Sequence, residues 1–180
     1  MFRSLSVALA VVLSPTPAPS APADATGVIE DLVLPVEDIV GEVESMDGTE
    51  SESKQDRQVT VAVTSDVLFA LDKWQLTGEA KERLAKVAGK VKAEGAGGVV
   101  KIEGHTDDQG TDAYNRTLSQ KRAQAVEEVM RGLLAPAGVT LQAQGYGESR
   151  PKLPNMVDGE PVEGNRAKNR RVEIVFTAKQ

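Results

Sequence analysis

The chain has 180 residues, a formal net charge of −6, no cysteine and one histidine. That length suits one domain with flanking segments. The missing cysteine excludes disulfides, thiolate zinc sites, a cysteine nucleophile and a lipid anchor on an N-terminal cysteine. The charge is unevenly spread: residues 24–57 hold eleven acidic and two basic residues, whereas residues 58–180 hold sixteen and eighteen. The second stretch is nearly neutral and shows no basic stripe of the kind a nucleic-acid binder needs.

Met1-Phe2-Arg3 is a short basic start, followed by the nine-residue apolar run LSVALAVVL at 5–13 and by small residues and prolines ending in Ala21-Pro22-Ala23. Residues 1–23 are expected to be a secretory signal peptide. The run is too short to span a bilayer as a retained helix, which needs roughly 20 residues, and no later segment is apolar enough to cross one. No integral membrane segment is therefore expected in the mature chain. Residues 24–57 are predicted to be an acidic, mostly disordered tether, because such a composition buries too little apolar surface to offset chain entropy. Two apolar pieces, 29–34 and 36–43, interrupt it. They either pack on the domain and add an edge strand, or stay part of a flexible linker.

Residues 58–180 read as the folded domain. Val59, Val61 and Val63 alternate as in a half-buried strand. Thr77 is placed to cap a helix on which Ala80, Leu84, Val87, Ala88 and Val91 form one apolar stripe. Glycines at 95–98 break it, and residues 99–103 make a second strand. A turn at 106–111 leads into a second helix, about 112–134, with Val126, Val129, Met130 and Leu133 as its expected buried face, ended by Pro136 and Gly138. Val139, Leu141 and Ala143 begin a third strand, residues 145–164 are a glycine- and proline-rich loop, and Val172, Ile174 and Phe176 alternate in a closing strand. This order predicts an α+β two-layer sandwich, a small mixed sheet with two helices on one face.

Chemistry concentrates in GHTDDQGTDAYNRTLSQKRA at 104–123. Asp107 falls in the turn after a strand. Asn115, Leu118 and Arg122 share one face of the following helix, which starts beside unpaired backbone amides that favour a negative group. A fixed carboxylate and a fixed guanidinium suit a small zwitterion: Asp107 for its ammonium, Arg122 and the helix start near 111–113 for its carboxylate. On spacing alone the plainer alternative stands beside this, that Asp107 and Arg122 pair with each other or serve as cap and surface charge.

The chain resembles the OmpA-like (OmpA C-terminal and MotB-type) peptidoglycan-binding domain family over residues 61–176. The resemblance rests on SDVLFALDKWQLT at 65–77, GHTDDQG at 104–110, YNRTLSQKRAQAV at 114–126, GYGESRP at 145–151 and GNRAKNRRVEI at 164–174, in order and at suitable spacing. It implies a βαβαββ fold and binding of the diaminopimelate residue of the peptidoglycan stem peptide. It also implies that the Asp of GHTD (Asp107) and the Arg of LSxxRA (Arg122) hold that zwitterionic centre. Asn115, and Thr106 and Leu118 from the same motifs, complete the expected site, and Arg171 of the NRR motif is expected as an additional contact. Family members often follow a membrane barrel, a lipidated cysteine or a transmembrane helix, none of which is read here. The loop 152–163 also looks longer than the family's connection. The expectation is a non-catalytic, secreted protein without cofactors, retained at the wall of the cell envelope or periplasm.

Other readings compete. The acidic leader 24–57 could serve a basic protein partner, with the domain as anchor only. A cell-wall hydrolase would need a nucleophile and base, for which His105 and Ser119 are the only nearby pair, without a nucleophile elbow around them. His105 is expected to hydrogen-bond loop backbone. Asp107, Asp108 and Asp112 only loosely follow a calcium loop, without its spacing or final Glu. Trp74 is expected to lid the core.

Overall fold

A computed structural model describes residues 41–180. The expected signal peptide, and the part of the tether before residue 41, lie outside the described residues. Eight strands and four helices follow in chain order. They are β1 (Gly41–Glu44), β2 (Glu50–Gln55), β3 (Gln58–Thr64), the single turn α1 (Ser65–Leu68), α2 (Gly78–Glu94), β4 (Val99–His105) and α3 (Asp112–Leu134). After these come β5 (Thr140–Gly147), the two-residue strands β6 (Met156–Val157) and β7 (Glu160–Pro161), α4 (Glu163–Asn169) and β8 (Arg171–Thr177). Six strands form one mixed sheet in the order β1-β2-β3-β8-β4-β5. Only β4 and β5 run parallel, because α3 is the crossover between them.

The alternation read in the sequence is the alternation of the sheet. Val59, Val61 and Val63 of β3, Val100 and Ile102 of β4, and Val172, Ile174 and Phe176 of β8 are all buried in one cluster with the stripes of α2 and α3. Thr77 caps α2 by accepting the Ala80 amide at 3.0 Å, and Thr111 caps α3 by accepting the Tyr114 amide at 3.2 Å. Helix α3 ends in a 3-10 turn at Ala135–Ala137, and Gly138 supplies the left-handed residue (φ 62°) that closes it. Its buried stripe is rotated slightly from the expected one. Ala123, Val126, Met130 and Leu134 point fully inward, while Val129 and Leu133 are only partly buried at its flank.

Two glycines set how closely α3 lies on the sheet. A Cβ on Gly104 would sit 2.3 Å from the Ser119 carbonyl oxygen, and one on Gly145 would sit 2.3 Å from the Gln120 amide nitrogen. Backbone against backbone leaves no side chain to give way. The helix that carries Asn115, Leu118 and Arg122 is thereby held directly over the ends of β4 and β5.

The structure corrects the tether over residues 41–55. This stretch forms the β1–β2 hairpin, and β2 pairs antiparallel with β3 from Glu50↔Val63 to Gln55↔Gln58. Its charges are used: Glu52 pairs with Lys90, and Lys54 lies 3.4 Å from Glu94, both partners on α2. Composition argued for disorder because these residues bury little of their own. The sheet edge supplies backbone hydrogen bonds instead. The loop expected at 145–164 is also more ordered than predicted, since β5 continues to Gly147 and the β6–β7 hairpin and the start of α4 fill much of the rest. Buried Asn169 pins that segment, accepting the amides of Lys152 and Leu153 and donating to the Leu153 carbonyl.

Candidate functional site

Strand β4 delivers the chain into the turn at 106–111, and α3 carries it away. Between this corner, the segment after α1 and the start of β8 lies an open cleft of about 260 Å³. Thr106, Asp107, Asn115, Leu118 and Arg122 all line it. Five of the six residues expected from sequence therefore meet at one place.

Asp107 is 4% exposed. Its Oδ1 accepts the Gln109 amide at 3.1 Å, and its Oδ2 accepts from Arg170 Nη1 at 2.8 Å. Arg170 reaches further, to Asp66 Oδ2 at 3.0 Å. These two carboxylates hold its pKa above the ordinary arginine value, the hydrogen bond to Asp66 being the largest cause. Asn115 is buried and donates from Nδ2 to Glu148 Oε2 at 2.6 Å and to the Asp107 carbonyl. The same amide thus ties the helix to the turn and to the end of β5.

Arg122 is 6% exposed. Its Nε donates to the Lys73 carbonyl at 3.0 Å, and its guanidinium carbon lies 5.3 Å from the Phe69 ring centroid. It makes no ion pair among the described residues. Burial pulls its pKa down, opposed chiefly by the more distant Asp66 and Asp72, yet a guanidinium stays protonated in a protein. A buried cation without a carboxylate partner is costly and leaves donors facing the cleft for an anion. Of the plainer alternatives, Asp107 and Arg122 do not pair with each other and, being buried, are not surface charges, although Asp107 does cap the turn through the Gln109 amide. They stand on the cleft as separate charges, and Arg170 is the residue that compensates Asp107.

Arg171 is not brought to this cleft. Its Nε donates to Glu173 Oε1 at 2.6 Å, and its other nitrogens reach the carbonyls of Asn169 and Arg150. Consecutive residues entering a strand point to opposite sides, so only one of Arg170 and Arg171 can face the cleft, and it is Arg170. Residues 111–113 do not line the cleft either, and the Tyr114 amide is already taken by Thr111. Sequence reading also missed Asp66, Asp72 and Glu163 on the rim. The first two belong to the SDVLFALD stretch noted only as an opening element.

Three other expectations change. His105 is 2% exposed, and neither ring nitrogen has a hydrogen-bond partner among the described residues, so it does not hold loop backbone. The Ser119 hydroxyl donates to the Arg116 carbonyl and accepts the Gly147 amide, with no bond to His105. Trp74 is 39% exposed, with the Lys121 ammonium 4.2 Å from its ring centroid, rather than a lid on the core. In the supposed calcium loop, Asp107 and Asp108 are paired with Arg170 and Arg166. No helix among the described residues is long and apolar enough to cross a membrane.

The OmpA family model matches residues 68–170, which hold the turn, α3 and Arg170. The chain is 41% identical over 118 residues to outer membrane porin F of Pseudomonas aeruginosa, a match covering 66% of this chain and 32% of the porin. It is 39% identical over 87 residues to the peptidoglycan-associated lipoprotein of Haemophilus influenzae, covering 48% of this chain and 56% of that protein. The chain thus spans about a third of the porin and about half of the lipoprotein. Among solved structures, the cell wall anchor of the T6SS from Pseudomonas aeruginosa superposes with a TM-score of 0.60 at 28% identity, covering 73% of this chain and 89% of that one. With the match running from the end of α1 to the arginine that completes the cleft, the chain belongs to the OmpA family.

Proposed function

We propose that the domain binds peptidoglycan non-covalently, without catalysis, through the diaminopimelate residue of its stem peptide. The observation that carries this reading is the buried Arg122, unpaired among the described residues, standing across a small cleft from buried Asp107. A free amino-acid centre carries one ammonium and one carboxylate, and diaminopimelate places such a centre at the end of its side chain. Arg122 takes the carboxylate with parallel hydrogen bonds. Asp107 takes the ammonium, and Arg170, which compensates Asp107 in the free protein, shifts its weight toward Asp66. Asn115, Thr106 and Leu118 shape the pocket between them. The names of two relatives, a peptidoglycan-associated lipoprotein and a cell wall anchor, support the same ligand class.

Residues 1–23 direct the chain into the secretory route, residues 24–40 link this leader to the domain, and the domain retains the protein at the wall. One such site gives modest, salt-sensitive affinity, and many sites along the wall supply avidity. The test is co-sedimentation of the protein with purified insoluble peptidoglycan, with soluble diaminopimelate as competitor. Wild type is expected to pellet, to be released by diaminopimelate and not by lysine, and to stay in solution as Asp107→Ala or Arg122→Ala. Pelleting of both variants at the wild-type level overturns the assignment.

A further inference from the structure

On the sheet face turned away from α2 and α3 lies a second polar cluster that the cleft does not use. Glu103 and His105 are two residues apart on β4 and so project to the same side, opposite to buried Ile102. Glu173 is the registered partner of Glu103 on β8. One ligating atom from each of these three side chains lies within 4.8 Å of the other two. His105 is 2% exposed and both its ring nitrogens lack hydrogen-bond partners among the described residues. Its Nε2 lies 3.9 Å from Glu173 Oε2. A buried imidazole with nothing to bond is a costly arrangement that an ion would relieve.

We propose that Glu103, His105 and Glu173 form a binding site for a divalent transition-metal ion of the zinc class, separate from the peptidoglycan cleft. One imidazole and two carboxylates are the donor set such an ion accepts, whereas calcium and magnesium take oxygen ligands throughout. Tetrahedral zinc, with bonds of about 2.0–2.2 Å, holds its ligand atoms about 3.4 Å apart. The ligand atoms, 3.9 Å apart for His105 and Glu173 and within 4.8 Å overall, therefore draw in by at most about 1.4 Å on binding, within reach of rotamer adjustment for two glutamates. Metal ligation needs a ring nitrogen with a free lone pair, and neither nitrogen of buried His105 is engaged by a hydrogen bond among the described residues. Glu103 and Glu173 face each other as registered neighbours of like charge, a repulsion that a cation between them removes.

Two arginines border the cluster and share its carboxylates with the ion. Arg171 holds Glu173 through Oε1, leaving Oε2 toward His105, and acts as the outer partner that orients a ligating carboxylate. Arg150 lies 3.7 Å from Glu103 without a hydrogen bond between them, and its side chain is 56% exposed, so water can solvate the guanidinium on its Tyr146 stack when Glu103 turns to the ion. Tyr146 also stacks on His105 at 5.5 Å between centroids.

The experiment is calorimetric titration of zinc chloride into the untagged, metal-stripped chain at neutral pH, with thermal melts alongside. Wild type is expected to take up one equivalent and to melt higher with zinc. Glu103→Gln, which keeps the shape of the side chain, and His105→Ala are each expected to weaken uptake by at least about tenfold. Asp72→Asn on the cleft rim should bind zinc as wild type does. Absence of saturable uptake by wild type overturns the proposal, as does unchanged affinity in Glu103→Gln. That variant decides the matter if His105→Ala fails to fold.

Discussion

Arg170 Nη1 meets Asp107 Oδ2 at 2.8 Å, and it does so from the chain segment just before the last strand, 63 residues away in sequence. The carboxylate expected to receive a ligand's ammonium is therefore held by the protein's own cation in the free state. That single contact ties the signature turn to the end of the sheet, and it makes stability and binding separable.

Removing Arg170 leaves a buried carboxylate with only the Gln109 amide. Arg170→Ala is expected to destabilise the domain by about 1–3 kcal/mol, read as a lower urea midpoint with unchanged slope. Asp107→Ala leaves Arg170 its second partner, Asp66, and is expected to cost less. The double variant should be more stable than the sum of the two losses predicts.

Arg122 grips by geometry as well as charge. Arg122→Lys retains the charge but loses the planar fork and the bond to the Lys73 carbonyl. Wall binding is expected to fall by at least about tenfold, close to the loss in Arg122→Ala, in co-sedimentation at constant salt. Binding by Arg122→Lys at the wild-type level would show that a point charge is enough.

Gly145 marks the closest approach of α3 to β5. Gly145→Ala puts a methyl group 2.3 Å from the Gln120 amide and 2.7 Å from Ser119 Oγ. Separating helix from sheet is expected to cost about 1–3 kcal/mol or more and to weaken wall binding beyond the change in folded fraction, because Arg122 rides on the displaced helix. Circular dichroism melts and co-sedimentation together separate the two effects.

The β1–β2 hairpin covers an edge of the sheet. A chain beginning at Gln58 would expose the ladder of β3 and lose the pairs of Glu52 with Lys90 and Lys54 with Glu94. Its melting midpoint is expected to drop by at least about 5 °C, with concentration-dependent association through the bare edge. A truncated chain that melts and sediments like the full one would show the hairpin to be dispensable.

Much of the frame was legible because it rests on local periodicity. The two-residue alternation of Val59, Val61 and Val63 and of Val172, Ile174 and Phe176, and the helical stripe from Ala80 to Val91, state which side is buried wherever their elements are placed. Capping by Thr77 and Thr111 is equally local. The corner that joins Asp107 to Arg122 was legible too, since both lie on one strand-turn-helix segment. The hairpin at 41–55 was not legible. Its residues are polar and bury little, and their order comes from a neighbouring strand that composition does not record.

Sequence by itself determined the two-layer fold, the location of the cleft and five of the residues that line it, because periodicity and short motifs are properties of contiguous chain. Only the tertiary structure decided that Arg170, and not Arg171, compensates Asp107, since one step of strand phase sends adjacent side chains to opposite faces. It alone brought His105 together with Glu103 and Glu173, because the third of these arrives on β8, in register with β4 across the sheet.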